Sequence, residues 1–391
     1  MLFKNLDTVN ELADTQMLPK AGEQFFAKGQ TSISRVEKYF RCPYMHFVEN
    51  ILSPTERKLG EIQAQDIGNF LHKAAEDFVK SGAFKTLVTN TKKIKADMDT
   101  ITKSILQSDD FVSFTKRNSY MAKRLQKEAK ELSVELVRTF GTFANLETEF
   151  VFGLAGQNGA KANGLIFKNI KAGEAIKDIV LVGKIDRVDY IENGGKKYIR
   201  VIDYKTGKAE FSYDEFYYGK KLQLPIYAAV FNNMSATNSS AGFFYFLLSH
   251  GFGTAGERIR YEGVYLGDDF SVNSYDVELK NPGHKSTIIN AKRNEKSATL
   301  HGTTGAKSNK SELQINQIIN YATDSFKQAL TEIAKGYIAP APNTKKDKDS
   351  PCQWCSYRAM CRVQNINDIK REREPLDHKQ FFSITQNGGG D

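Results

Sequence analysis

The sequence predicts an α/β or α+β domain, and three observations carry that expectation. Apolar runs of strand length crowd between Glu147 and Leu248, separated by Gly/Asn turns. Helical patterns, with apolar residues three and four apart, stand on either side of them. The resulting order of helix, three strands, helix, strand suits neither a helical bundle nor a β-sandwich. The composition agrees: 391 residues that are 40% hydrophobic and 26% charged, with 29 Gly and 9 Pro, exclude wholesale disorder and collagen.

Each element has its own local signal. Residues 1–30 are polar with few apolar positions and read as a leader or the end of an upstream domain. Ser34, with Glu37 three residues on, has the spacing of a capping box and predicts a helix from Arg35 to Leu52. Ile67, Phe70, Leu71, Ala74, Phe78 and Val79 trace a helical stripe over 66–81, which Gly82 can end. Residues 84–145 are Lys-rich and helical in pattern, and read as an insertion. Phe150–Phe152, Ile179–Val188 and Lys197–Tyr204 are strand-like, with Asn193-Gly194-Gly195 as a hairpin turn. Leu222–Phe231 then reads as a helix and Ala241–Leu248 as a buried strand. Residues 255–312 read as a variable insertion, and Leu313–Gly336 as an amphipathic helix. A Pro/Lys segment, 339–351, leads into a cysteine cluster, and 365–391 reads as a tail.

The same features narrow the function. Lys and Arg number 55 against 46 Asp and Glu, a formal charge of +9 that suits a polyanionic partner. Apolar runs such as Ala241–Leu248 are too short to cross a bilayer, and no basic start precedes an apolar stretch at the N-terminus. A cytoplasmic protein is expected. Four cysteines are too few for a disulfide scaffold, and three of them fall between Cys352 and Cys361, which points to metal or cluster ligation in a reducing compartment.

Two constellations carry chemistry. In Gly183-Lys-Ile-Asp186-Arg-Val-Asp189 and Val201-Ile-Asp203-Tyr-Lys205, Asp186 closes one apolar strand, while Asp203 and Lys205 project from one face of the next. Two carboxylates beside a lysine can hold Mg²⁺ or Mn²⁺, or can be solvated charges on a hairpin. His72 and Glu76 share a helical face, as do Gln223 and Tyr227; Glu149 opens the first strand as a further carboxylate. The second constellation is Cys352-x2-Cys355-x5-Cys361 with the remote Cys42-Pro43. Four thiolates suit tetrahedral zinc or an iron–sulfur cluster.

Taken in order, Ser32-x-Ser34-Arg35-x-Glu37-x-Tyr39-x-x-Cys42-Pro43, Gly68-x-x-x-His72, Gly183-x-Ile-Asp186-Arg-x-Asp189, Asp203-Tyr-Lys205-Thr-Gly207, Gln223-Leu-Pro-Ile-Tyr227 and the cysteine run resemble one family. It is the RecB-type branch of the PD-(D/E)XK nucleases with an iron–sulfur staple, and within it the C-terminal nuclease domain of the AddB type. The resemblance covers residues 31–364. It implies a restriction-endonuclease-like core with a central mixed sheet, helical insertions and a terminal four-cysteine cluster. It also implies Mg²⁺-dependent DNA hydrolysis, exonucleolytic on single-stranded ends, in double-strand-break repair beside a helicase subunit of the AddA type. It assigns Asp186 and Asp203 to metal, together with His72 and the Tyr204 carbonyl, and Lys205 to the scissile phosphate and attacking water. Gln223 and Tyr227 match the motif that follows the active-site strands, and Cys42, Cys352, Cys355 and Cys361 match the ligands of a [4Fe–4S] cluster. Asp203 stands where many relatives carry Glu. The chain has no G-x4-G-K-[ST] loop, so Met1 reads as the start of a fragment, of a truncated product or of a standalone nuclease. A CRISPR-associated or phage-type exonuclease of the same superfamily and a DNA-binding module without activity are the alternatives.

Overall fold

A seven-stranded mixed sheet separates two apolar layers. This computed structural model describes residues 17–54, 64–82, 90–108, 111, 119–143, 145–154, 159–207, 209–248, 261–296, 303–304, 306–345, 350–361 and 371–387. Its helices are α1 (Pro19–Phe25), α2 (Ile33–Arg41), α3 (Pro43–Phe47), α4 (Ala64–Lys80), α5 (Thr91–Gln107), α6 (Ser119–Arg138), α7 (Tyr213–Tyr217), α8 (Gln223–Met234), α9 (Asp269–Tyr275), α10 (Glu312–Lys335), α11 (Arg358–Cys361) and α12 (His378–Asn387). Its strands are β1 (Gln30–Thr31), β2 (Asn145–Gly153), β3 (Ala162–Asn163), β4 (Ile166–Ala172), β5 (Ala175–Leu181), β6 (Gly183–Asn193), β7 (Lys196–Lys205), β8 (Asn238–Leu247), β9 (Tyr261–Leu266), β10 (Lys292–Arg293), β11 (Thr303–Thr304), β12 (Asn309–Lys310), β13 (Asn343–Lys345) and β14 (Arg371–Arg373).

The main sheet runs β12-β9-β8-β7-β6-β2-β3. β2, β6 and β7 form an antiparallel meander, whereas β7 and β8 are parallel. A parallel pair needs a crossover, and α8 supplies it. Alternation along β7 distributes its side chains: Ile199 and Val201 enter the layer of α8 and α10, while Ile202 and Tyr204 enter the layer of α4, α5 and α6. β8 is buried on both faces, as its unbroken apolar run requires. Among the described residues no helix is long and apolar enough to cross a membrane.

The expected class holds, with local differences that have physical causes. The run Ile179–Val188 divides at Val182: β5 pairs with β1 and β4 in a second sheet, and β6 joins the main one. Apolarity alone carries no information about which sheet a strand joins. Asp186 therefore lies within a strand instead of closing one. The helix expected over 35–52 begins at Ile33, with Ser32 at its N-cap, and breaks at Cys42. Pro43 disfavours helical backbone in the residue before it and opens the next helix. The capping box expected between Ser34 and Glu37 does not form: Ser34 lies inside the helix, and the Glu37 carboxylate bonds elsewhere. A capping box does form at the start of α10, between Ser311 and Gln314.

Segments read from the sequence as peripheral pack into the core. Within the expected leader, residues 1–16 lie outside the described residues, but Phe25 and Phe26 are buried. Gly336 ends α10 at φ +81°, and its carbonyl accepts from the Leu18 amide at 2.8 Å; a Cβ there would lie 2.1 Å from the Leu18 carbonyl oxygen. Tyr261–Leu266, inside the expected insertion, is a strand of the main sheet. In the expected tail, Phe381 and Phe382 are buried, and Arg373 donates to Asp214 at 2.9 Å.

Beneath the sheet lies a charged layer. Arg187, Asp189 and Arg200 are each 0% exposed. Arg187 grips Asp189 bidentately at 2.7 and 2.6 Å, and Arg200 adds a third bond at 2.7 Å. Arg200 also donates to the Thr139 and Phe140 carbonyls, and the two guanidinium groups stack on Phe140 and Phe143. Asp189→Ala would leave two buried cations without their shared anion. We expect a loss of about 3–5 kcal/mol in urea unfolding. A loss below about 1 kcal/mol would mean that the layer is open to water.

Candidate active site and thiol pocket

The antiparallel ladders on both sides of β6 are interrupted at Asp186. Pairing with β7 ends at Arg187↔Ile202, and one step further in that register lies Asp203. Pairing with β2 passes from Thr148↔Arg187 to Phe150↔Ile185, skipping the step at which Glu149 would face Asp186. Glu149 there adopts φ +50°, a left-handed backbone in a non-glycine residue. Three acidic residues thus meet where strand pairing is interrupted. The sequence placed Glu149 at a strand start; it lies within β2, directly across from Asp186.

The side chains around this gap are held by name. Asp186 Oδ2 accepts from the Tyr204 amide at 2.8 Å and lies 3.5 Å from His72 Nδ1. Burial, with the Asp203 charge behind it, pushes the Asp186 carboxyl up to about 7. Asp203 is 4% exposed; its Oδ1 accepts from Gln223 Nε2 at 3.0 Å, and its Oδ2 pairs with Lys205. Gln223 Nε2 also reaches the Tyr227 hydroxyl at 3.1 Å, which donates to the Lys184 carbonyl at 3.0 Å. Burial raises the Tyr227 phenol, so it stays a donor. His72 rides on α4 with its ring edge-on to Tyr204, and desolvation lowers its pKa.

The predicted residues Asp186, Asp203, Lys205, His72, Tyr204, Gln223 and Tyr227 are therefore neighbours. Glu76 is not among them; it is taken by Lys73 and Lys80 on its own helix. Sequence reasoning missed Lys184, which pairs with Glu149 and whose carbonyl receives Tyr227. It also misread Glu37, whose carboxylate accepts from the Leu222 and Gln223 amides at 2.8 and 3.1 Å. A three-residue spacing to a serine is a local signal, and nothing local reveals a partner 185 residues away.

Cys42, Cys352, Cys355 and Cys361 line one pocket, and no disulfide joins them. Cys42 is the N-cap of α3. Burial pushes its thiol up to about 11, against the Met45 and Tyr44 amides that face the sulfur. Among the described residues no group of three or more His, Cys, Asp or Glu forms a ready-made metal cage, so neither constellation is a closed coordination shell as it stands.

Residues 30–362 match the family described as the PD-(D/E)XK nuclease superfamily. The chain is 26% identical over 412 aligned positions to a subunit of the ATP-dependent helicase/deoxyribonuclease of Clostridium acetobutylicum, covering 98% of this chain and 34% of that protein. It is 27% identical over 361 positions to the protein of the same description from Alkaliphilus oremlandii, covering 86% of this chain and 30% of the relative. A Clostridium perfringens relative of that description is 26% identical over 390 positions, covering 92% of this chain and 32% of its own. The chain thus spans about a third of the length of the curated relatives it matches.

The Asp186 carboxyl makes stability depend on pH. Its folded pKa, about 7, lies above the unfolded value of about 3.9. Its stabilising share is full below the unfolded value and is lost as pH rises through the folded one. In chelator, Asp186→Asn should therefore melt higher than wild type at pH 8, and the difference should vanish by about pH 4. Melting curves across that range check this; a constant difference would mean that Asp186 is not the titrating group.

Proposed function

The chain belongs to the PD-(D/E)XK nuclease superfamily, and from that premise we propose that Asp186, Asp203 and Lys205 form the centre of a metal-dependent deoxyribonuclease. The observation that carries this reading is the gap in strand pairing that sets Asp186 beside Asp203, with Lys205 on the same strand face. The donors fit a hard divalent cation. Asp203 Oδ2 is buried with Lys205 beside it but no hydrogen bond of good geometry, and burial, with the Asp203 charge behind it, raises the Asp186 carboxyl, a cost that a cation between the two would offset.

Asp186, Asp203, the Tyr204 carbonyl and His72 would hold Mg²⁺ or Mn²⁺. When bound, such an ion polarises a phosphodiester and lowers the pKa of water. The protein's own groups supply the rest. The Tyr204 amide fixes the Asp186 carboxylate, and Gln223 fixes that of Asp203. Tyr227 anchors Gln223 to β6. The Lys205 ammonium, held by Asp203, stabilises charge that builds on the scissile phosphate and orients the attacking water.

The substrate is DNA, taken as single-stranded ends and degraded exonucleolytically; the +9 charge favours such a polyanion. The relatives are described as subunits of a helicase/deoxyribonuclease, which supports placing this chain beside a helicase subunit of the AddA type in cytoplasmic break repair. Residues 31–364 are the nuclease domain in this reading. The four thiols on one pocket suit a [4Fe–4S] cluster that closes its end.

Lys205→Ala should keep its fold and DNA binding but cleave at least about 10²-fold more slowly, the cost of one transition-state contact of ~2.7–4 kcal/mol. Mg²⁺-dependent digestion of end-labelled single-stranded DNA, with EDTA as control, measures it. Cleavage within about threefold of wild type would remove Lys205 from the mechanism.

The cluster has its own test. Cys42 precedes Cys352 by 310 positions, and closing so long a loop costs the unfolded chain on the order of 5 kcal/mol. Cys42→Ala should lose iron, sulfide and brown colour, and melt at a lower temperature. Elemental analysis of anaerobically purified protein decides: about one zinc per chain without iron would replace the cluster by a zinc staple.

A further inference from the structure

Helix α8 carries Gln223 and Tyr227, yet its N-terminus has no cap of its own. The N-cap position is Leu222, whose side chain accepts nothing, and Lys220 and Lys221 precede it. Helix N-termini leave amides that need an acceptor. Both the Leu222 and the Gln223 amides are taken by one atom, Oε1 of Glu37, at 2.8 and 3.1 Å. Glu37 reaches them from α2, a separate element early in the chain.

Resting on the nuclease reading above, we propose that Glu37 is a positioning residue for the reaction: it caps α8 from another helix and thereby sets where Gln223 holds Asp203. The path is short and continuous. The Glu37 carboxylate accepts from the Gln223 amide; the Gln223 side chain donates to Asp203 Oδ1 at 3.0 Å and reaches the Tyr227 hydroxyl at 3.1 Å; Tyr227 donates to the Lys184 carbonyl at 3.0 Å. A carboxylate is well suited to the task, because the helix dipole favours negative charge at this end. Burial pushes the Glu37 carboxyl up to about 7, opposed by the two amides and by Arg41 and Lys221. Its acceptor oxygens serve in either protonation state. A residue that acts only through the geometry of Asp203 should affect turnover and leave DNA binding alone.

The test compares Glu37→Ala, Glu37→Asp, Glu37→Gln, Gln223→Ala and the Glu37→Ala/Gln223→Ala double variant in the full chain, with Mg²⁺ and a single-stranded oligonucleotide. Glu37→Ala should lower kcat by about tenfold or more, with KM within about twofold. Glu37→Gln, whose amide oxygen still accepts, should stay within about threefold of wild type, whereas Glu37→Asp, too short to reach, should fall with Glu37→Ala. In the Gln223→Ala background, Glu37→Ala should cost less than about twofold, because the two act as one unit. Hydrogen exchange at the Leu222 and Gln223 amides should quicken in Glu37→Ala and Glu37→Asp and stay slow in Glu37→Gln. If Glu37→Ala fails to fold, the Asp and Gln variants decide by the same criteria. Unchanged exchange in Glu37→Asp, wild-type kcat in that variant, or fully multiplicative losses in the double variant would each overturn the inference. Absence of cleavage by the wild-type chain would instead sink the nuclease reading, and with it the catalytic role of Glu37, while the exchange data would still report the cap.

Discussion

The interruption of strand pairing around Asp186 is the constraint on which the rest of the site depends. A continuous antiparallel ladder would spend the backbone groups there on sheet bonds. Instead the Tyr204 amide turns to the Asp186 side chain, and Glu149 takes a left-handed backbone opposite it. Gathering acidic side chains in a desolvated gap is unfavourable, and the raised Asp186 pKa is the electrostatic expression of that. A fold tolerates such a defect only where its surroundings over-determine it.

Those surroundings are identifiable. One residue after Asp186, Arg187 is locked bidentately to Asp189, which is in turn shared with Arg200 on β7. The bridge joins β6 to β7 just where their pairing resumes. On the opposite layer, α8 must lie close to β7 because it is the crossover to the parallel strand β8. Topology, not local preference, delivers Gln223 to Asp203.

Two segments distant in the sequence meet at the other constellation. Helix α2 carries Glu37 to the start of α8, beside the candidate site, and stops at Cys42, which faces the pocket shared with Cys352, Cys355 and Cys361. Around that pocket Arg371 donates to the Phe40 carbonyl at 2.8 Å, and β13 pairs with β14. The thiols therefore sit at a junction that backbone contacts already hold, and a bound cluster or metal would reinforce it.

Much of this was legible in the sequence. Periodicity located α4, α8, α10 and β8, because burial on one stripe or on both strand faces leaves a local record. Spacing set Asp203 and Lys205 on one face, and the ordered motifs carried the superfamily. Tertiary structure alone decided the rest. A helix broken at Cys42, a run divided between two sheets at Val182, and a terminal segment burying Phe381 all depend on partners distant in the chain. Glu37 is the sharpest case. By itself the sequence determined that an acidic side chain would stand three residues after Ser34 near a helix start. Only the packing of α2 against α8 decided that its carboxylate would satisfy another helix's amides, because an unsatisfied N-terminus is filled by whichever acceptor the fold brings within reach.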